Sequence, residues 1–340
     1  MVRYGKITGC MNIEHDRSFQ RPKIIQAFVA GFNTTTNHIH LIILPILLDF
    51  FIWFGPHFSL NRVLSPSLQA LINNPEFDTP ELQAFFQSYA DVVQELLQKF
   101  NLSSLLRTIP VGVPSLISGL STMRNPIGTP IQFEFKSLGS LLAISLGFIL
   151  IGLITGSLYF QQTARSILAD LKKRNFLDFV KSTLQAILIP LVIMIILLMI
   201  TIPLTIIVSI LSLISPAIGQ IGLLVGMVLI TWILIPLIFT PHSIFLFRQN
   251  LIPSMLSSIS IVRYSLPGST LFLSAALLLS EGMSILWRVP PEDSWMLLVG
   301  IFGHAFISTA ILASTYHYFL DAAQYTQAMM SNINKKEIIT

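Results

Sequence analysis

Three side chains able to carry charge or protons stand inside otherwise uncharged stretches of this sequence: Asp49, Glu281 and His304. An ionisable group at bilayer depth is costly to keep, so such positions are functional candidates by default. Asp49 lies about six residues before the outer end of its apolar segment and Glu281 about seven before the end of its own; His304 lies about ten into the next. At a helical rise of about 1.5 Å per residue these are depths of roughly 9, 10 and 15 Å. A turn at Val289–Asp293 joins the segments bearing Glu281 and His304 and makes them neighbours. A carboxylate meeting an imidazole there would relay protons or coordinate a cation. The same contact also reads as an interhelical hydrogen bond that fixes packing. Asp49 is the outlying member of this intramembrane polar cluster.

Other chemistry is sparse. There is no G-x-x-x-x-G-K-[ST], no G-x-G-x-x-G after a strand, no G-x-S-x-G and no H-E-x-x-H. Cys10 is the lone cysteine, and no Cys/His spacing suits zinc. His38, His40, His242 and His317 fall near the inner ends of apolar segments, where interfacial His is tolerated without function. The sequon Asn101-Leu102-Ser103 carries almost no weight. No catalytic residue, metal or cofactor is assigned.

The elements that must position the three candidates are membrane helices. Of 340 residues, 53% are hydrophobic and 11% charged, against roughly 25% charged in soluble domains. Mean hydropathy is +0.74. A soluble core of this length cannot hide that much apolar surface, and disordered chains are poor in apolar residues. The net charge of +4 does not come from a clustered basic face, which argues against nucleic acid as a partner. Residues 1–24 carry charges without an apolar run, unlike a signal peptide.

Charge-free windows predict an all-α, polytopic transmembrane helical bundle of about six spans, with amphipathic interfacial helices and an outer helical insert. The spans are expected at 39–55, 137–160, 184–213, 218–241, 266–287 and 294–320, with Ser215, Pro216 and Gly219 separating the third from the fourth. Residues 1–38 form an N-terminal stretch with an amphipathic approach, and 321–340 a tail. Fourteen of the 20 Lys and Arg then fall on the side that holds both termini. The expected location is the plasma (inner) membrane, N- and C-termini cytoplasmic.

Between the spans, 56–136 forms the outer insert. Thr79-Pro80 opens a helix whose apolar stripe runs from Leu82 to Phe100. That stripe (80–100) packs on its own bundle or caps another membrane subunit. Residues 110–130 are apolar but punctuated by Pro and Gly, and read as irregular or membrane-dipping. Residues 161–183 are expected as a cytoplasmic amphipathic helix whose basic residues Arg165, Lys172, Lys173, Arg174 and Lys181 face anionic membrane lipid. Residues 248–264 form a second interfacial segment.

The stretch AFVAGFNTTTNHIHLIILPILLDFFIWFGPHFS resembles the opening of a group of uncharacterised bacterial multi-pass proteins. These run from a short amphipathic stretch into a Leu/Pro-rich span ending in Asp and a W-x-G-P turn. FTPHSIFLFRQNLIPSMLSSISIVRYSLPGSTLF is similar to the inter-span segment of membrane domains found beside glycerophosphodiester phosphodiesterases. Catalysis there belongs to a separate soluble barrel not present in these residues, so the resemblance implies a membrane domain without an activity. The expected role is a non-enzymatic scaffold or accessory subunit of a membrane complex. The alternatives are a permease-type transport subunit working with a separate ATPase, and an intramembrane lipid-processing enzyme using Glu281, His304 or Asp49.

Overall fold

The computed structural model describes residues 21–72, 80–120, 124–168 and 176–339, and the side chains among them except those of 71–72, 80–89 and 333–339. The first 20 residues and Lys172, Lys173 and Arg174 lie outside the described residues. The chain is an all-α helical bundle. Five helices are long and apolar enough to cross a membrane, or six if a sharply bent pair at the start counts as one span.

That bent pair takes in more chain than the first span expected at 39–55. Helix α1 (Ile24–Asn37) stops at His38, and the chain turns 90° through a short 3-10 stretch (Ile39–Ile42) into α2 (Ile43–Phe54). Residues 39–54 reach only about 24 Å at helical rise, short of a hydrocarbon core of about 30 Å. The side chains of α1 explain the turn. Ala27, Gly31, Thr34 and Thr35 are buried against the final helix while Ile25 and Val29 stay exposed. Gly31 is obligatory there, because a Cβ would lie 2.4 Å from the Ser314 backbone nitrogen.

The insert follows. Strand β1 (His57–Ser59), helices α3 (Asn61–Ile72) and α4 (Pro80–Lys99) and strand β2 (Gln132–Glu134) make it up, with the two strands pairing in parallel, His57 opposite Gln132. Phe58 stacks on Phe133 at 5.6 Å and meets Phe148 at 5.2 Å, tying the insert to the next helix. The sequon residue Asn101 is 2% exposed, and its Oδ1 accepts from the Phe58 and Ser103 amides. It is a clamp at the base of the insert, closed to a glycan. His57 is buried beside it, and neither ring nitrogen has a well-aligned hydrogen bond among the described residues. Burial therefore lowers its proton affinity, with the Gln98 backbone offsetting only part of the effect.

Helices α5 (Leu138–Ile167), α6 (Phe176–Ile214) and α7 (Pro216–Leu234) run next, α5 capped by the Ser137 hydroxyl. The expected single amphipathic helix over 161–183 is corrected: Gln161–Ile167 continue α5, and Phe176–Thr183 already belong to α6. Arg165 and Lys181 therefore sit on two different helices, both exposed. Helix α6 meets α7 through a stripe of small residues, Gly219, Gly222 and Gly226, whose positions face Ser212, Leu211 and Leu204.

The fourth apolar segment runs past its expected end at 241. A 3-10 turn at Ile235–Leu237 leads into α8 (Thr240–Phe247), which ends at Arg248 in the left-handed region (φ 53°). Helix α9 (Leu251–Tyr264) is not simply interfacial. Ser254, Ser257, Ser258, Ile261 and Val262 are buried, and Ser258 bridges the Phe239 amide and the Pro236 carbonyl. Helix α10 (Leu266–Trp287) packs on α11 (Leu297–Ile339), where Gly300 and Gly303 admit Trp287. Residues 321–339 extend α11 rather than forming a separate tail. The run Asp321-Ala322-Ala323-Gln324-Tyr325-Thr326-Gln327-Ala328-Met329-Met330 lacks Gly and Pro, so nothing stops the helix.

The main core joins Val111 and Val113 of the insert to Tyr159, Phe160, Phe239, Phe245, Phe272, Tyr316, Tyr318 and Phe319. Residues 106–119 thus enter the bundle beside the middle of α5. A Cβ at Gly156 would lie 2.6 Å from the Gly112 Cα, and one at Gly152 would lie 2.4 Å from the Leu106 carbonyl oxygen. Gly156→Val should cost about 1–3 kcal/mol by overpacking and lower the thermal midpoint in detergent. Gly147→Ala, whose new atom meets nothing within 4 Å, should not. The His57 environment sets a pH dependence. The unfolded ring takes up a proton near its ordinary 6.5 while the folded ring resists it, so stability falls as pH drops below that value. Thermal midpoints measured from pH 7.5 down to about 5 should show that slope flattened in His57→Gln.

Candidate functional site

The end of the bundle near Trp53 gathers most of its buried charge chemistry. Asp49 projects from α2 with no exposed surface. The Ser115 hydroxyl donates to Asp49 Oδ1 at 2.5 Å, the Ile117 amide to the same oxygen at 3.1 Å, and the Leu116 amide to Oδ2 at 3.2 Å. One carboxylate thereby receives a hydroxyl and the two backbone N–H groups at the start of the short 3-10 turn Ile117–Gly119, which that turn cannot itself satisfy. The segment is self-braced as well. The Ser118 amide donates to Ser115 Oγ at 3.0 Å, and Arg107 Nη1 reaches the Ser115 carbonyl and Ser118 Oγ, each at 3.3 Å.

Further charges surround this loop. Arg107 keeps part of its side chain exposed, so its desolvation is partial. Its guanidinium faces the like charge of Arg288 and the carboxylates of Glu281 and Asp49. Arg107 stays a cation throughout. The Arg288 guanidinium lies against Gly119, where a Cβ would come within 2.7 Å of Nη2. Trp53 Nε1 donates to the Glu292 carbonyl at 2.9 Å, and Asn125 Nδ2 to the Trp53 carbonyl at 3.1 Å. Together these bonds close the loop over the ends of α2, α10 and α11.

The three sequence candidates therefore share a neighbourhood without forming the expected cluster. His304 is 5% exposed, and its partners are the hydroxyls of Ser284 at 3.5 Å and Ser308 at 3.3 Å. Glu281 sits one helical turn before Ser284, is exposed, and makes no hydrogen bond with His304 among the described residues. Its carboxylate acts on Arg107. Asp49 belongs to the loop, not to the Glu281–His304 pair. Among the described residues no three His, Cys, Asp or Glu side chains converge as metal ligands.

Arg107, Ser115 and Arg288 were not visible as site residues in the sequence. The only signal was an arginine just before a Pro- and Gly-punctuated apolar stretch. A second polar set was also missed. His242, read as interfacial, is buried in the core, where Nε2 lies 2.7 Å from Thr315 Oγ1 and the ring 4.4 Å from Tyr316. Tyr159 donates to Thr309 at 2.8 Å, Tyr316 to the Phe160 carbonyl at 3.2 Å, and His317 pairs with Thr34 at 2.9 Å. These bonds tie α11 to α1, α5 and α8, with α5 held twice, the arrangement of polar groups that fastens membrane helices together. No family profile, curated protein or solved structure matches the chain.

What this arrangement does chemically is hold a shape. The three donors on Asp49 take up three of its four or so lone-pair sites, and His304 faces hydroxyls on its own and the neighbouring helix. Asp49→Ala would strand the Ser115 hydroxyl and two amides in the core, for a loss of order 3 kcal/mol. Ser115→Ala should cost less, and the double variant should fall short of the sum because both act on one loop. Thermal unfolding in mild detergent measures this. In a Cys10→Ser background, Ser118→Cys should react faster with a polar maleimide once Asp49 is replaced.

Proposed function

We propose that this chain is a non-enzymatic integral membrane protein, a scaffold or accessory subunit of a membrane complex, with both termini and the Arg165 end of the bundle on the cytoplasmic side. The α6–α7 hairpin carries the reading. Beyond Ile189, α6 buries only Val208, and α7 buries only Gly219 and Gly226, all facing the hairpin itself. Met199, Leu213, Leu224, Met227 and Val228 are each more than 60% exposed. The arm is long and apolar, with flanks that suit a second membrane chain. Val92, Leu96 and Phe100 on and just after α4 offer a smaller apolar edge outside the bundle. Membrane lipid is the other partner this reading names.

A second reading, a transport subunit, draws on one observation. Residues 107–120 are irregular backbone beside mid-α5, and such backbone at membrane depth is tolerated where protein or a water-filled path surrounds it.

The scaffold reading is tested by photo-crosslinking in native membranes, with a diazirine amino acid at Met199, Leu213 or Met227. A protein adduct of one defined mass is expected at all three positions, and lipid adducts alone would overturn it. The adduct should persist in Glu281→Gln and His304→Gln at normal expression. Its loss there would move the case toward a relay or an enzyme.

A further inference from the structure

At the other end of the bundle, the corner between α1 and α2 meets the last turn of α5 around a cavity of about 300 Å³ lined by His38, His40, Gln162, Arg165 and Ser166. Every lining residue is polar and none is acidic. His38 Nδ1 lies 3.1 Å from the Thr34 carbonyl, so that nitrogen carries a proton and donates to it, leaving Nε2 for another partner. The His40 ring stands edge-on to His38 at 5.9 Å. The Ser166 hydroxyl donates to the Gln162 carbonyl at 3.1 Å, which leaves the His, Arg and Gln nitrogens as the donors. Arg165 is exposed and has no carboxylate partner among the described residues. A lining with an unpaired guanidinium, N–H donors and no carboxylate suits an anion with several acceptor oxygens.

The position adds a second line of argument. The apolar body of α5 gives way to Gln161-Gln162-Thr163-Ala164-Arg165 at this level, the depth at which headgroups meet a span. Helix α1, bent 90° from α2, leaves Ile25 and Val29 exposed on its outer side, where acyl chains can lie. We propose that this cavity binds a phosphate group, carried by an anionic phospholipid headgroup or free in solution, through Arg165, His38, His40 and the Gln162 amide. The site is independent of whatever covers the α6–α7 hairpin.

The test uses the purified full-length chain. After equilibration with mixed phosphatidylcholine and phosphatidylglycerol, native mass spectrometry reads which lipid survives detergent. Wild type should retain phosphatidylglycerol preferentially. Arg165→Gln and the double variant His38→Gln/His40→Gln should lower that occupancy about tenfold, the worth of one charge-assisted contact. Arg263→Gln, another exposed cation beyond the cavity, should not. A second arm adds inorganic phosphate to delipidated protein. A rise in thermal midpoint in wild type but not Arg165→Gln identifies free phosphate as a ligand. Lipid selectivity without that rise identifies the headgroup. The proposal fails if neither probe binds, if the cavity variants keep wild-type selectivity, or if Arg263→Gln loses it equally. Should a cavity variant lose monodispersity, His40→Gln alone, at an exposed residue, gives the same readout.

Discussion

The rest of the structure depends on how one buried carboxylate satisfies a stretch of backbone that is irregular apart from a single 3-10 turn at Ile117–Gly119. In a hydrocarbon environment each unpaired N–H or C=O costs several kcal/mol, which is why spans are helices. Residues 107–120 break that rule and enter the bundle as irregular chain. They can do so because Asp49 accepts from Ser115, Leu116 and Ile117 together, and Arg107 takes up the Ser115 carbonyl. With the loop seated, Leu116 and Ile117 pack with Trp53, Leu297 and Ile301, while Val111 and Val113 fill the main core. Gly152 and Gly156 provide the room on α5.

Helix α11 is the second organising element. Along one helix, Thr309 meets Tyr159, Thr315 meets His242, His317 meets Thr34 and Tyr318 meets Ser269. Apolar burial offers little preference between a helix and a lipid tail, so these hydrogen bonds and the close approaches at Gly31, Gly300 and Gly303 are what fix its neighbours. By contrast, α6 and α7 carry few such bonds outward and protrude. The helices that stand apart are also the most apolar, with mean hydropathy 3.1 for α6 and 2.7 for the segment opened by α7 against 1.5 for α10 and 1.9 for α11.

Much of this was legible in the residues. Charge-free runs located the long helices because inserting a charge is costly, and Ser215-Pro216 marked the hairpin turn because proline cannot continue α6 but can open α7. Asp49 and His304 were recognisable as costly positions, yet their partners were not. Ser115 is an ordinary serine by type, and only a loop folded back from 66 positions along the chain makes it the donor to Asp49. Glu281 and His304 looked like a pair because their helices are adjacent, but Ser284, one turn on, occupies the facing position. His242 looked interfacial from its place in the chain, and the kink at Ile235–Leu237 turned it into the core.

Composition and patterning alone determined the solvent of this protein, its helical class and the approximate place of each long apolar segment. These follow from local terms, transfer free energy and backbone satisfaction, that act residue by residue. Tertiary structure alone decided that α1 bends away from α2, that 107–120 enters the bundle and that Asp49 serves that loop. It also decided that His38 and His40 meet Gln162 and Arg165 around one cavity. Those outcomes turn on hydrogen bonds and close packing between residues far apart in the chain, whose geometry no periodicity encodes.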